Sequence, residues 1–359
     1  MTIAQLVQHF RPGGLETMAL SLGEQLSQSQ PVIYLSLEGQ TKQLQQQWPR
    51  LKTLPHLYGL NKCAGVDWRL PMRLHRLLQR HQVTYLHSHH QGPLLYGALA
   101  TRFSGIGHVH SHHDGWHLQQ RHAARLTRWV QRFRQPYSVA VAEQVAEQLR
   151  QQGCEVNSVI ANGVDLQRFS PGDQSHARWR LGLPQTPWLF GSVARLVAIK
   201  RLHLLIEALP RLPYFCELVL VGDGPCRGAL QERAQQLGVM KRVHFLGHTD
   251  EPEWVYRALD RFCLCSEAEG APMAMWEAQG CDLPVICTDV GNCRANLCPV
   301  SGTLVAVDAD WALTLQQALA EPRATARAFA VAQGGLATMA QAYQRLFALP
   351  PAPRVPLYQ

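Results

Sequence analysis

The chain is missing several features that would have fixed its class at once. It has ten cysteines but no Cys-x-x-Cys pair, and Cys263 and Cys265 sit two apart in the apolar run "RFCLCS". That spacing argues against a disulfide framework and for buried thiols in a reducing compartment. No apolar run approaches the roughly 20 residues that a membrane-spanning helix needs. The N-terminus, "MTIAQLVQHF", has no charged segment followed by an apolar block, so no signal peptide is expected. These absences point to a cytoplasmic protein, either free or peripheral on the inner face of the cytoplasmic membrane. Charged residues are also scarce, at 17% against 46% hydrophobic, which excludes a disordered bulk. No DNA- or RNA-binding module is visible, so no nucleic-acid partner is expected.

What is present is enough chain, 359 residues, for two ordinary domains. The net charge of +8 is unevenly spread. Up to Asp165 there are 16 Lys and Arg against 9 Asp and Glu, and beyond it 18 against 17. Charge alone therefore suits the N-terminal half to an anionic partner, phosphate, membrane lipid or nucleic acid, and the lack of a nucleic-acid module leaves the first two. Short apolar runs alternate with amphipathic ones ("IAQLVQ", "GGLETMALSLGEQL", "PVIYLSL", "WRLPMRLHRLLQRH", "VTYLHSH"). After the turn-rich "VIANGVDLQRFSPGDQ" the alternation restarts at "WLFGSVARL". Strand then helix, repeated, means α/β architecture: two Rossmann-like, doubly wound parallel sheets facing an interdomain cleft, where ligands gather at the carboxyl ends of the strands. The expected domains are residues 1–165, 166–340 and a C-terminal helix and tail, 341–359. Whether that tail returns to the first domain stays open.

Each motif with chemistry follows a strand. Gly13 and Gly14 either let backbone approach a ligand at a helix N-terminus or simply make a tight connection. Arg195 and Lys200, five apart at a helix start, are either a diphosphate site or two solvated charges. "VGDGP" (Gly222–Pro225) reads as a structural turn. In "EGAPMAMWE", Pro272 suits the first turn of a helix. Glu269 then lies before that helix and Glu277 about one turn inside it, roughly 6–8 Å along. This is wrong for two carboxylates sharing a proton. It suits a long ligand with phosphate on the N–H groups near Ala271–Met273 and one carboxylate near each end. A metal site is disfavoured, because no His or further Asp lies at ligand spacing.

These pieces, in order, resemble the retaining glycosyltransferases of the GT4 type, which have the GT-B fold. The resemblance runs from "FRPGGLE" through "VIANGVDLQRF", "ARLVAIK", "LVGDGP", "RVHFLG", "SEAEGAPMAMWEA" and "LPVICTDVGN" to "SGTLVAVD". It implies transfer of a sugar from a nucleoside-diphosphate-sugar to a glycan or lipid-linked acceptor, as in bacterial surface polysaccharide or glycoconjugate synthesis. No cofactor or metal is implied, since the sugar nucleotide is a substrate. Arg195 and Lys200 would hold the diphosphate, Glu277 the ribose and Glu269 the donor sugar. Backbone of Gly270, Ala271, Pro272 and Met273 would touch sugar and phosphate. Gly247 and His248 would lie near the base, with Gly13 and Gly14 over the diphosphate. A first-domain histidine would face the reacting sugar: His113, with His112 as the competing assignment. Three positions depart from the family's pattern. Asp282 stands where Gly is common, Ala142 where Ser is common, and Arg201 follows Lys200 in place of Gly. Two alternatives remain: a sugar-nucleotide epimerase of the same architecture, and a non-catalytic sugar-nucleotide-binding subunit.

His87, His89, His90, His108, His110, His112, His113 and His117 crowd two segments. Zinc would need three convergent ligands. The favoured reading is an acceptor-side wall with one functional imidazole among packed ones. Finally, Arg121, Arg125, Arg128 and Arg132 recur at helical spacing beside Leu126, Trp129, Val130 and Phe133. That pattern suits either an anionic membrane surface or a solvated helix face.

Overall fold

A computed structural model describes residues 1–114, 121–321 and 325–349. The chain divides into two compact units, Met1–Asn162 with the chain returning from Leu336 onward, and Gly163–Gly335. The divisions fall at Asn162/Gly163 and Gly335/Leu336 rather than at 165/166 and 340/341.

The first unit is built on seven strands: β1 (Thr2–Val7), β2 (Val32–Ser36), β3 (Leu57–Gly59), β4 (Val83–His89), β5 (Gly107–His112), β6 (Tyr137–Ala140) and β7 (Ser158–Val159). Their order is β3-β2-β1-β4-β5-β6-β7, all parallel. The second unit has β8 (Trp188–Val193), β9 (Cys216–Val221), β10 (Val243–Gly247), β11 (Arg261–Leu264), β12 (Val285–Thr288) and β13 (Thr303–Val305). Their order is β10-β9-β8-β11-β12-β13, also parallel. In each sheet the winding reverses once, between β1 and β4 and between β8 and β11. Loops leave the carboxyl ends on opposite sides there, which makes a crevice for a ligand.

Helices cover both faces of these sheets, so the strands read as near-continuous apolar runs. Consecutive residues of one strand feed opposite cores: Leu189 packs with Val219, Phe262 and Met275, while Phe190 packs with Leu218, Leu220 and Ile286. Period two also explains "RFCLCS". Cys263 and Cys265 share one face and are fully buried, with Phe262 and Leu264 on the other. All ten cysteines are free.

The helix Leu336–Ala348 packs in the first unit. Tyr343 and Phe347 lie against His87, with ring centroids 4.6 and 5.9 Å away, and the Tyr85 hydroxyl donates to the Leu349 carbonyl. Among the described residues, no helix is long and apolar enough to cross a membrane.

Candidate active site

In the second unit the chain leaves β8 through Ala194-Arg195-Leu196 into a short 3₁₀ turn, Ala198–Lys200. Lys200 therefore ends a 3₁₀ turn and does not open an α-helix, which corrects the expectation from spacing. The "VGDGP" turn buttresses this loop. Leu196 N–H donates to the Asp223 carbonyl and Cys226 N–H to the Leu196 carbonyl, both at 2.9 Å. Gly222 has φ +126°, and a Cβ there would come within 1.9 Å of the Ala194 carbonyl oxygen. Only glycine allows that approach. Gly222 N–H also donates to the Gly247 carbonyl at 2.7 Å, so the expected base-side glycine is tied to the Arg195 loop. The Arg195 side chain is exposed and makes no hydrogen bond or ion pair among the described residues.

The loop after β11 carries Glu269, which is buried. Lys200 Nζ donates to Glu269 Oε1 at 2.5 Å, and Ser266 Oγ donates to the same oxygen at 2.6 Å. Glu267 N–H bonds the Ile199 carbonyl at 2.8 Å, and the Cys265 thiol lies 3.1 Å from the Lys200 carbonyl, lacing the two loops together. Gly291, with φ +55°, presses on the same loop, and a Cβ there would come within 1.7 Å of the Glu269 carbonyl oxygen. Ser266 and Gly291 had no assigned role from the sequence. The signals were a serine three positions before Glu269 and the "VGN" after β12.

The helix beyond runs from Met273 to Gly280 with Pro272 as its N-cap (φ −70°, ψ 101°), so Pro272 stands just outside the first turn. Gly270, Ala271 and Pro272 bridge Glu269 to it. Glu277, half-buried, accepts from the Tyr256 hydroxyl at 2.6 Å. Burial pushes the Glu277 carboxyl above its ordinary value, and the Tyr256 hydrogen bond only partly offsets this. Tyr256 was not foreseen as part of the site. At the helix end, Leu283 N–H bonds the Ala278 carbonyl and Asp282 N–H the Gln279 carbonyl, both at 3.0 Å. This is a Schellman turn with Asp282 in the left-handed position, φ +62°, that glycine usually fills. The strain is offset by new bonds: Asp282 Oδ1 accepts from the N–H groups of Ala326, at 2.8 Å, and Arg327, at 2.9 Å, capping the helix Arg327–Gln333. Arg201, also left-handed at φ 49°, donates to the Val307 carbonyl at 2.8 Å. His248 is exposed, 3.4 Å from Asp250 Oδ1, and joins none of these contacts.

In the first unit Gly13 is the extended N-cap of the helix Gly14–Ser27. The first turn of that helix carries the buried Glu16, with His9 Nδ1 at 3.4 Å and His90 Nε2 at 3.6 Å. The histidines of β4 and β5 sort onto two faces. On one, Ser88 Oγ lies 2.8 Å from His108 Nε2 and 2.9 Å from His110 Nδ1. On the other, His87 Nε2 meets Ser111 Oγ at 2.8 Å, and His89 meets both Gln5 Oε1 at 3.0 Å and His113 Nε2 at 2.9 Å. Burial, reinforced by neighbouring imidazoles, holds His87, His89, His110 and His113 well below the usual histidine value. Burial and the Arg134 charge take His108 down to about 3. His112 is buried within β5, whereas His113 stands at its end, partly exposed. Among the described residues no group of three or more His, Cys, Asp or Glu could hold a metal ion. His117 lies outside the described residues.

The helix Arg121–Arg134 buries Ala123, Ala124, Thr127 and Val130 and exposes Arg125, Arg128 and Arg132. Trp129, 47% exposed, stacks on Phe133 with centroids 4.9 Å apart. The Arg121 side chain lies outside the described residues.

Two Rossmann-like parallel-sheet domains, each with one switch point, define the GT-B class. The profile described as Glycosyltransferase Family 4 matches residues 12–168, and that described as Glycosyl transferases group 1 matches residues 173–331. The chain belongs to the GT4-type glycosyltransferase family. It is 35% identical over 184 residues to a D-inositol 3-phosphate glycosyltransferase of Mycobacterium sp. (strain JLS), covering 48% of this chain and 42% of that protein. It is 32% identical over 136 residues to the putative glycosyltransferase EpsF of Bacillus subtilis (strain 168), covering 36% and 35%. The aligned stretch thus spans less than half of either relative. The fold matches Anabaena HepE in complex with UDP-glucose at TM-score 0.84 and 22% identity, over 97% of this chain and 100% of that one. It also matches sucrose-phosphate synthase from Thermosynechococcus elongatus at TM-score 0.79 and 20% identity, over 97% and 99%.

Proposed function

We propose that the protein is a retaining, metal-independent glycosyltransferase that moves a sugar from a nucleoside-diphosphate-sugar to a glycan or lipid-linked acceptor in surface polysaccharide or glycoconjugate synthesis. One observation carries this reading. At the switch point of the second sheet, a lysine, a buried carboxylate and an arginine with no side-chain partner among the described residues lie on loops clamped together by glycines. Arg195 and Lys200 take the diphosphate, whose charge grows as the bond from the anomeric carbon to the leaving oxygen breaks. That oxygen keeps the bonding electron pair. The acceptor hydroxyl attacks from the same face and passes its proton to the departing phosphate, which retains configuration. Glu269, held by Lys200 and Ser266, accepts from sugar hydroxyls, and Glu277 from the ribose. Gly270 to Met273 line sugar and phosphate, and Gly247 and His248 the base. The first unit supplies Gly13 and Gly14 toward the diphosphate and His113 toward the reacting sugar.

The relatives named as glycosyltransferases and the fold neighbour crystallised with UDP-glucose support a sugar-nucleotide donor. A thermal-shift panel of UDP-, GDP- and ADP-sugars tests it. The matching donor should stabilise by about 2.7 kcal/mol at a hundredfold excess over Kd. Transfer or donor hydrolysis by that donor supports the reading. An epimerised donor, or binding without turnover, replaces it with the epimerase or the binding subunit.

A second interaction has its own support. The exposed Arg125, Arg128 and Arg132, with Trp129 beside them, suit an anionic bilayer. Each arginine should add about 1 kcal/mol of attraction near such a surface. Replacing all three by Gln should abolish pelleting with vesicles rich in phosphatidylglycerol; unchanged pelleting removes the idea.

A further inference from the structure

Gln5 in β1, His89 at the end of β4 and His113 just beyond β5 come from three strands adjacent in the sheet. Gln5 and His89 are fully buried. Gln5 Oε1 lies 3.0 Å from His89 Nε2, and His89 Nδ1 lies 2.9 Å from His113 Nε2. A carbonyl oxygen can only accept, so His89 Nε2 carries the proton and donates. A neutral imidazole has one N–H, so His89 Nδ1 is a lone pair and accepts from His113 Nε2–H. The same rule leaves His113 Nδ1 without a proton. Among the described residues, that nitrogen makes no hydrogen bond.

The neutrality this requires agrees with the burial-lowered pKa of both rings. The middle ring is also fixed in place. His87 packs on His89 with centroids 4.2 Å apart, and His87 is itself held through Ser111 Oγ, at 2.8 Å, and the Tyr343 hydroxyl, 2.6 Å further on.

We propose that Gln5 and His89 are positioning residues that fix His113 as its Nε2–H tautomer, so that its Nδ1 lone pair meets a hydroxyl of the donor sugar. The role, though not the tautomer, rests on the glycosyltransferase reading above. The relay supplies a neutral acceptor beside a carbon that turns cationic as its bond breaks. An imidazolium there would repel the developing charge, and the opposite tautomer would present a proton to the hydroxyl in place of a lone pair.

Long-range ¹H–¹⁵N spectra of the full chain labelled at histidine nitrogen decide the tautomer without ligand. The His113 signal is the one lost in His113→Ala. A protonated Nε2 and an unprotonated Nδ1 are expected. A protonated Nδ1 means that the Gln5 amide faces the other way, and it overturns the proposal. Kinetics then test the role with the sugar nucleotide that turns over, UDP-glucose being tried first. Gln5→Leu should lower kcat about ten- to a hundredfold with KM little changed, the range seen when the partners that orient metal-ligating imidazoles are lost. In a His113→Ala background the same change should cost less than about twofold. Equal losses in both backgrounds would show a merely structural role. A wild-type chain that turns over no sugar nucleotide sinks the glycosyltransferase reading instead, while the spectrum still decides the tautomer.

Discussion

At the end of β11, Glu269 meets the Lys200 ammonium at 2.5 Å; at the ends of β4 and β5, His89 meets His113 at 2.9 Å. Both contacts sit at the carboxyl ends of central strands, yet one pairs opposite charges and the other two neutral rings. The second unit keeps Arg195 exposed and Lys200 partly exposed on the buried Glu269. In the first unit, burial keeps His87 and His89 in β4 neutral.

Acid should separate the two units most strongly. His87, His89, His108 and His110 have folded pKa values below the ordinary 6.5. The stability they contribute is therefore present above 6.5 and lost as pH falls below it. Each can remove up to about 1.4 kcal/mol per pH unit. Glu277 works in the opposite direction. Its pKa is raised from 4.5, so the cost of its ionised form is felt at neutral pH and fades as pH falls toward 4.5. Native-state hydrogen exchange at pH 7 and 5.5, corrected for intrinsic rates, should show the first unit losing several kcal/mol and the second far less. Equal losses would break the contrast.

Next in size is the charged pair itself. On the proposed role of Lys200 as a fixed cation for the leaving diphosphate, Lys200→Ala should cost about 10²- to 10³-fold in kcat while the fold persists. Near wild-type turnover would remove Lys200 from the chemistry. A smaller effect is expected of Gly291→Ala. Its left-handed φ costs about 1 kcal/mol in any context, but here the new Cβ must also displace the Glu269 carbonyl. We expect about a tenfold loss of activity, in the range that misplaced functional groups cause. Gly65→Ala is the control. It has φ +74° and nothing within 4 Å of its Cβ, so it should lose stability alone. Matching activity losses in the two variants would show that Gly291 is only a turn.

Much of the second unit's site was legible in the sequence because its loops are local. "ARLVAIK" and "EGAPMAMWE" carry their own turn and helix-start chemistry, and each follows a run of apolar residues that can only be a buried strand. The first unit's site was far less legible. Eight histidines in two segments could be a wall, a metal site or packing, and nothing local separates those. The strand pairing does, by facing Ser88 toward His108 and His110 and turning His89 toward Gln5. Asp282 shows the same limit. In the sequence it is an odd residue where glycine is common, and in the fold its carboxylate caps the helix Arg327–Gln333.

The sequence alone determined the alternation of strand and helix, the two parallel sheets and the placing of the candidate site residues just after strands. Those features follow from apolar periodicity and turn chemistry within a few neighbouring residues. Only the tertiary structure decided the partners. Lys200 reaches Glu269 across 69 positions of chain, and Gln5 reaches His89 across 84. Such pairs depend on which strands lie side by side and in what register, a balance of burial over the whole sheet that no single segment records.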